Sequence, residues 1–448
     1  MRGPGARPPN IKTSEHEDDG SKLTPRNNQM NRRQLLMSGA SLLSFAALPG
    51  LAGSAIAQTA QEVVIGVLFP MSGANAQVGV DARHAMETAA DIINNSYDLD
   101  LPTATNAGLA GLGNARIKLI FADHQSDPQK GRAEAERLIT QEKVCALIGC
   151  YLSSVSSTVS AVAERYGLPF LCADSSSPSL ARRGLKFFFR PAAQDEMFSA
   201  AMFDFLDAEK AKGKKIETVG LFFEDTIFGT DSSNTQRKLA AERGYRLVAD
   251  IKYKSNSPSL SVEVQQLKSA DPDVLMPSSY VTDAILLMRT MGDLGYKPRN
   301  IIAQASGFSD KSFYDVIGDK AVGIISRASF SLDMAQKRPS VLKVNDMFKA
   351  RSDRDLNDST SRELMGLLVL ADAIDRAKST DGEKIREALA ATDIPGERTI
   401  MPWKRVKFEP DGQNVDADPV LVQYIGGTFV TIFPMAVALA EPLWPMNA

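Results

Sequence analysis

Histidine is scarce, with three in 448 residues. His16 lies in an atypical opening segment, which leaves His84 and His124 for the remainder of the chain. No H-E-x-x-H, G-x-S-x-G or G-x-x-x-x-G-K-[ST] pattern occurs. The helical zinc site, the nucleophile elbow and the phosphate loop therefore have no local signature. A Ser–His–Asp site converges from distant positions and leaves no local trace, and nothing here points to one. Cysteine is equally sparse: Cys145, Cys150 and Cys172 cannot all pair, and their spacing fits no zinc pattern. Cys145 and Cys172 sit in apolar runs and read as small buried hydrophobes. A Cys150–Cys172 disulfide stays open if their strands are neighbours. No metal or cofactor is expected, and the chain reads as a non-enzyme. Charge of one sign is also missing. Lys and Arg total 51 against 54 Asp and Glu, a formal net charge of −3. Without a basic run interleaved with aromatics, no nucleic-acid partner is expected.

Residues 1–57 differ from the rest. The first 30 are rich in Pro, Asn and charge and read as disordered, or as untranslated if Met30 is the start. Asn31-Arg32-Arg33-Gln34-Leu35-Leu36 then opens an apolar stretch that ends in Ala55-Ile56-Ala57. This is the form of a signal peptide with a small-x-small cleavage site, and the paired arginines suggest the twin-arginine route. Gly39, Ser41, Ser44, Pro49 and Gly50 make the stretch a poor membrane span. The mature chain is expected to begin near Gln58, in the periplasm.

Beyond that point short apolar runs alternate with amphipathic stretches. Val63–Phe69, Arg116–Ala122, Val144–Gly149 and Pro169–Cys172 read as strands. Gly79–Asn94, Pro128–Gln141 and Ser154–Tyr166 read as the helices between them. The pattern resumes with Val219–Phe223, Gly229–Arg243, Leu247–Tyr253, Ser259–Ser269, Val274–Met276, Ala284–Leu294 and Ile301–Ala303. Helices dominate Ser340–Ala391, and strands return at Val406–Phe408, Val420–Tyr424 and Phe429–Phe433, with Gly426-Gly427 as a hairpin turn. Such alternation predicts an α/β fold with largely parallel sheets. Residues 95–115 have no period and are expected to form a surface loop. Gly111-x-Gly113 within them does not open a helix after a strand, so a nucleotide site is not indicated.

Open α/β sheets bind ligands beyond the C-terminal ends of their strands. Three loops fall there. One is Phe69–Gly79, containing Ser72 and Val78. The second is Gly149–Ser154, containing Tyr151, Ser153 and Ser154. The third is Ala173–Pro178, containing Asp174, Ser175 and Ser176. Hydroxyls entering a helix N-terminus suit an anion, above all a carboxylate. A lone Ser there more often serves only as a cap.

In this setting, Val64-Ile65-Gly66-Val67-Leu68-Phe69-Pro70-Met71-Ser72-Gly73 resembles the opening strand of the branched-chain amino-acid-binding proteins of ABC importers. The similarity continues through Ala146-Leu147-Ile148-Gly149, Ala163–Phe170, Phe188-Phe189-Arg190-Pro191, Gly220–Asp225 with Phe228-Gly229, and Asp271–Leu275. The resemblance implies the two-lobe, type I periplasmic binding fold with three hinge crossings. These are placed near Arg190, Ser329 and Met401. The lobes become 58–190 with 330–401, and 191–329 with 402–448. It implies a small amino acid or organic carboxylate bound between the lobes, a membrane permease as partner, and a monomer. By family position, Ser153 with Ser154 and Ser175 with Ser176 hold the ligand carboxylate. Val78 stands where an aromatic often covers the ligand, and Phe228 where a tyrosine stands. The acidic partner of an α-ammonium belongs just before Gly307, where this chain has Ala305-Ser306. Tyr280 and Asp283 are the nearest replacements. With that acid gone, an amine-free or aromatic acid, or an amide, becomes an alternative ligand, and an exported ligand-sensing module of the same fold an alternative role.

Overall fold

Two runs of alternating strands and helices lead the chain through two sheets. The computed structural model describes residues 62–304 and 307–446; the signal-peptide reading and Ser306 lie outside the described residues. The first run is β1 (Glu62–Phe69), α1 (Ala76–Asn94), β2 (Arg116–Asp123), α2 (Pro128–Thr140), β3 (Ala146–Gly149), α3 (Ser153–Tyr166), β4 (Phe170–Cys172) and β5 (Phe188–Phe189). Its strands form one sheet of order β2-β1-β3-β4-β5, with every pairing parallel. Strands of such a sheet are covered on both faces, which explains the nearly continuous apolar run of β1. Asp127 starts α2 by accepting from the Gln129 and Lys130 amides, with Pro128 in the first turn.

The second run is α4 (Asp195–Ala211), β6 (Thr218–Glu224), α5 (Ile227–Glu242), β7 (Arg246–Tyr253), α6 (Ser261–Ala270), β8 (Val274–Ser278), α7 (Val281–Asp293), β9 (Ile302–Ala303), α8 (Lys311–Ile317) and β10 (Ile325–Ala328). The chain then returns to the first lobe with α9 (Pro339–Ser352), α10 (Asp358–Ala377), α11 (Gly382–Ala390), β11 (Asp393–Pro395) and β12 (Arg405–Lys407). It ends in the second lobe with β13 (Val420–Ile425) and β14 (Thr428–Phe433). The trio β7-β6-β8 is joined to β9-β10-β13-β14 by a parallel bridge between Leu275 and Ile301. Ile425 pairs with Thr428 around Gly426 and Gly427. Their φ values of 60° and 83° are those of a two-residue turn whose centre needs left-handed backbone.

One apolar core surrounds the first sheet; two larger clusters and a small one of Ala328, Val420 and Val422 pack on the second. Trp403, Val406, Phe408 and Ala417 belong to the first core, whereas Leu421 belongs to the second lobe. The last crossing therefore lies between Ala417 and Val420 rather than at Met401. The cause is β12, which pairs with β11 and keeps its segment in the first lobe. Residues 95–115 are less superficial than their composition suggests: Leu99, Leu101, Ala104 and Leu109 are buried in the first core. All three cysteines are buried and unpaired. Among the described residues no helix is long and apolar enough to cross a membrane.

Candidate functional site: the cleft between the lobes

The loops after β1, β3 and β4 meet the second lobe directly. The Tyr280 ring, entering α7, packs against Tyr151 at 5.1 Å and against Phe228 of α5 at 5.2 Å between centroids. Its hydroxyl accepts from the Ser153 amide at 3.4 Å. Thr282 donates to the Ala74 carbonyl, and Ser177 donates to Asp231. Three first-lobe loops are thus tied to α5 and α7.

The hydroxyls named from the sequence fall into distinct situations. Ser153 opens α3, is 1% exposed, and its Oγ has no partner. Ser154 is half-buried in the same first turn. The Ser175 hydroxyl faces Ser156 Oγ at 2.7 Å and lies 2.8 Å from the Cys150 carbonyl, so it ties the β3 and β4 loops together. Ser176 sits 3.5 Å from Arg327, and its carbonyl accepts from the Asp195 amide. Ser72 donates to Asp123 Oδ2 at 2.5 Å. Val78 is packed into the first core on α1. Asp283 accepts from the Asn256 amide, and its carboxyl pKa is raised, chiefly by burial.

Behind the aromatic trio lies a buried charge network that no local motif announces. Arg362 on α10 bridges Asp174 at 2.5 Å and Asp358 at 2.7 Å. Asp358 also pairs with Arg327 of β10 at 3.1 Å and accepts from the Ser329 amide. The Arg327 guanidinium lies over the Phe198 ring at 3.8 Å. Asp195 is held by Gln304 at 3.0 Å. Asp174 and Glu363 are buried side by side, their carboxyls in hydrogen-bond contact with each other. Burial, then the neighbouring Asp174, pushes Glu363 well above the ordinary carboxyl range. Burial also raises Asp174, against the pull of Arg362. In the second lobe Glu224, at the end of β6, is pushed up to about 8 by burial. The one sequence signal for the network is Asp358 and Arg362 at i and i+4 on a helix that is apolar from Leu364 to Ala371.

The site therefore offers aromatic walls, an unpartnered hydroxyl at a helix N-terminus, and a buried pair of facing carboxyls. A buried hydroxyl such as Ser153 Oγ is costly unless something supplies the missing bond. His124, directly after β2, is fully buried with its pKa pushed down to about 4 by burial. Among the described residues no cluster of His, Cys, Asp or Glu could hold a metal.

Comparison with known proteins agrees with this fold. The family model described as periplasmic binding protein matches residues 62–428. A Leu/Ile/Val-binding protein homolog of Brucella suis is 27% identical over 412 residues, covering 89% of this chain and 97% of its own length. The crystal structure of the leucine-binding protein LivK of Thermotoga maritima superposes with a TM-score of 0.71 at 22% identity, covering 82% of this chain and 97% of its own. An ABC-transporter solute-binding protein of Rhodopseudomonas palustris, solved with 3,4-dihydroxybenzoic acid, gives 0.66 at 16% identity, covering 82% and 95%.

Proposed function

Because the chain belongs to the periplasmic binding protein family, we propose that it is the substrate-binding component of a branched-chain amino-acid-type ABC importer. It binds a small amino acid or related organic carboxylate between its lobes, as a monomer in the periplasm, and delivers it unchanged to a membrane permease. The observation that carries this reading is the Tyr280 contact. One second-lobe side chain packs on Tyr151 and accepts from the Ser153 amide, so the ligand loops of the first lobe and the lid of the second close on one point. A ligand touching both lobes stabilises the closed form because only that form offers both sets of contacts.

In this reading the ligand carboxylate meets Ser153 Oγ and the start of α3. Its ammonium meets the buried carboxyl pair of Asp174 and Glu363. A first-lobe carboxylate then stands in for the acid missing before Gly307. An aromatic acid is the second reading, and the rings of Tyr151, Phe228 and Tyr280 support it.

The test is a thermal-shift screen of protein stripped of ligand by unfolding and refolding. A ligand at about 100 times its dissociation constant adds roughly 2.7 kcal/mol. A shift with leucine, isoleucine or valine, without consumption of the ligand, supports the first reading. A shift with aromatic acids alone supports the second. Turnover of the ligand overturns both.

A further inference from the structure

A large cavity lies apart from the aromatic trio. It measures about 760 Å³, within the roughly 300–1,000 Å³ of small-molecule pockets, and is several times the bulk of a branched-chain amino acid. None of Ser72, Tyr151, Ser153, Asp174, Phe228 or Tyr280 lines it. Its walls come from both lobes. Phe330 and Leu342 stand on the first-lobe side; Tyr314, Tyr424 and Phe429 stand on the other. The three second-lobe rings form one cluster, with Tyr314 4.0 Å from Tyr424 and 4.9 Å from Phe429. Ala328 and Phe330, at the second crossing, place the cavity on the hinge flank of the cleft.

Its charge is unbalanced. Asp315, Asp333, Asp353, Asp355 and Asp358 line it against Lys311 and Arg354. Three of these acids are neutralised: Asp315 by Lys311, Asp355 by Lys349, and Asp358 by Arg327 and Arg362. Arg354 is engaged by Asp81. Asp333 accepts from the Thr431 amide and hydroxyl, which carry no charge. Asp333 and Asp353 have no basic partner among the described residues. A partly enclosed negative field over aromatic faces favours a cation with a flat apolar body, through Coulomb attraction and cation–π contact.

We propose that this cavity is a second ligand compartment of the cleft, taking an aromatic or flat apolar body that bears a protonated nitrogen. The proposal rests on the importer reading and extends it. A ligand here touches α9 and the 353–358 loop on one side and the β13–β14 hairpin on the other. Asp358 joins the compartment to the main cleft, since Arg362 bridges it to Asp174.

The test uses the full exported protein, stripped of ligand, with 2-phenylethylamine, phenylacetate and leucine in thermal-shift and calorimetric titrations. The amine is expected to raise the melting temperature; phenylacetate, with the same ring and opposite charge, is not. Leu342, 49% exposed on the cavity wall, is the site for a filling variant that leaves the cores untouched. Leu342→Trp should weaken the amine at least tenfold and leave the leucine response unchanged. Equal shifts with amine and phenylacetate overturn the proposal, as does full amine affinity in Leu342→Trp. A leucine shift without an amine shift overturns the compartment and leaves the importer reading standing. An amine shift without a leucine shift supports the compartment and removes the branched-chain cargo.

Discussion

Arg327 on β10 and Asp358 at the start of α10 meet at 3.1 Å where the lobes join, with side chains only 1% and 2% exposed. Asp358 also holds Arg362 at 2.7 Å. Removing the carboxylate therefore leaves Arg327 without its buried ion-pair partner, while Arg362 keeps Asp174; removing Arg327 leaves Asp358 paired with Arg362. Breaking a buried pair costs about 3–5 kcal/mol. Asp358→Ala is expected to lose at least that much in urea denaturation, and Arg327→Met roughly 1–3 kcal/mol. Equal losses would mean that Arg327 finds another partner when Asp358 is gone.

The hairpin at Gly426-Gly427 tests a local rule. Both residues have positive φ, and a Cβ would find open space at either position, so backbone conformation alone resists a side chain. Gly427→Val is expected to cost about 1–2 kcal/mol, and Gly426→Asn much less, because asparagine tolerates the left-handed region. The comparison is made by thermal denaturation without ligand.

These two cases mark what the sequence discloses. The hairpin was legible because two adjacent glycines between apolar runs have one common use. The α/β alternation was legible because buried parallel strands stay apolar throughout, as Val63–Phe69 does. The Met401 crossing was misplaced because Val406 and its neighbours have a strand's composition, and composition does not say which sheet a strand serves. The charge network was illegible for a related reason. Asp174, Arg327 and Asp358 lie far apart in the chain, and only the fold joins them. Ser153 and Ser175 looked alike as loop hydroxyls, yet one lacks a partner and the other ties two loops together.

Glu224 makes stability depend on pH. Its carboxyl is 0% exposed, and burial raises its pKa from 4.5 to about 8. Thr226 and Ser255 donate to it, and Asp283 faces it. Between those values the folded protein keeps a proton that the unfolded chain has released. The contribution is full below about pH 4.5 and is lost as pH rises through about 8, at up to roughly 1.4 kcal/mol per pH unit. Glu224→Gln, which needs no proton, should flatten that slope in urea melts from pH 5 to 8. An unchanged slope would assign the dependence to another group.

Ser153 separates binding from stability. Its Oγ is buried with no partner, while its amide, which alanine keeps, donates to Tyr280. Removing an unsatisfied hydroxyl takes away a group whose burial is uncompensated. Ser153→Ala in the ligand-free protein should thus melt within about 0.5 kcal/mol of the parent or slightly higher. Once a carboxylate binds, the hydroxyl gains a charged acceptor, worth about 1.5–3 kcal/mol. Ser153→Ala should therefore weaken the ligand by roughly ten- to a hundredfold in calorimetry. Ser176→Ala, next to Arg327, should add to that loss if Ser176 also reaches the carboxylate. Unchanged affinity in the double variant would move the carboxylate away from α3. A large stability loss in Ser153→Ala alone would mean that the hydroxyl already has a partner in the free protein.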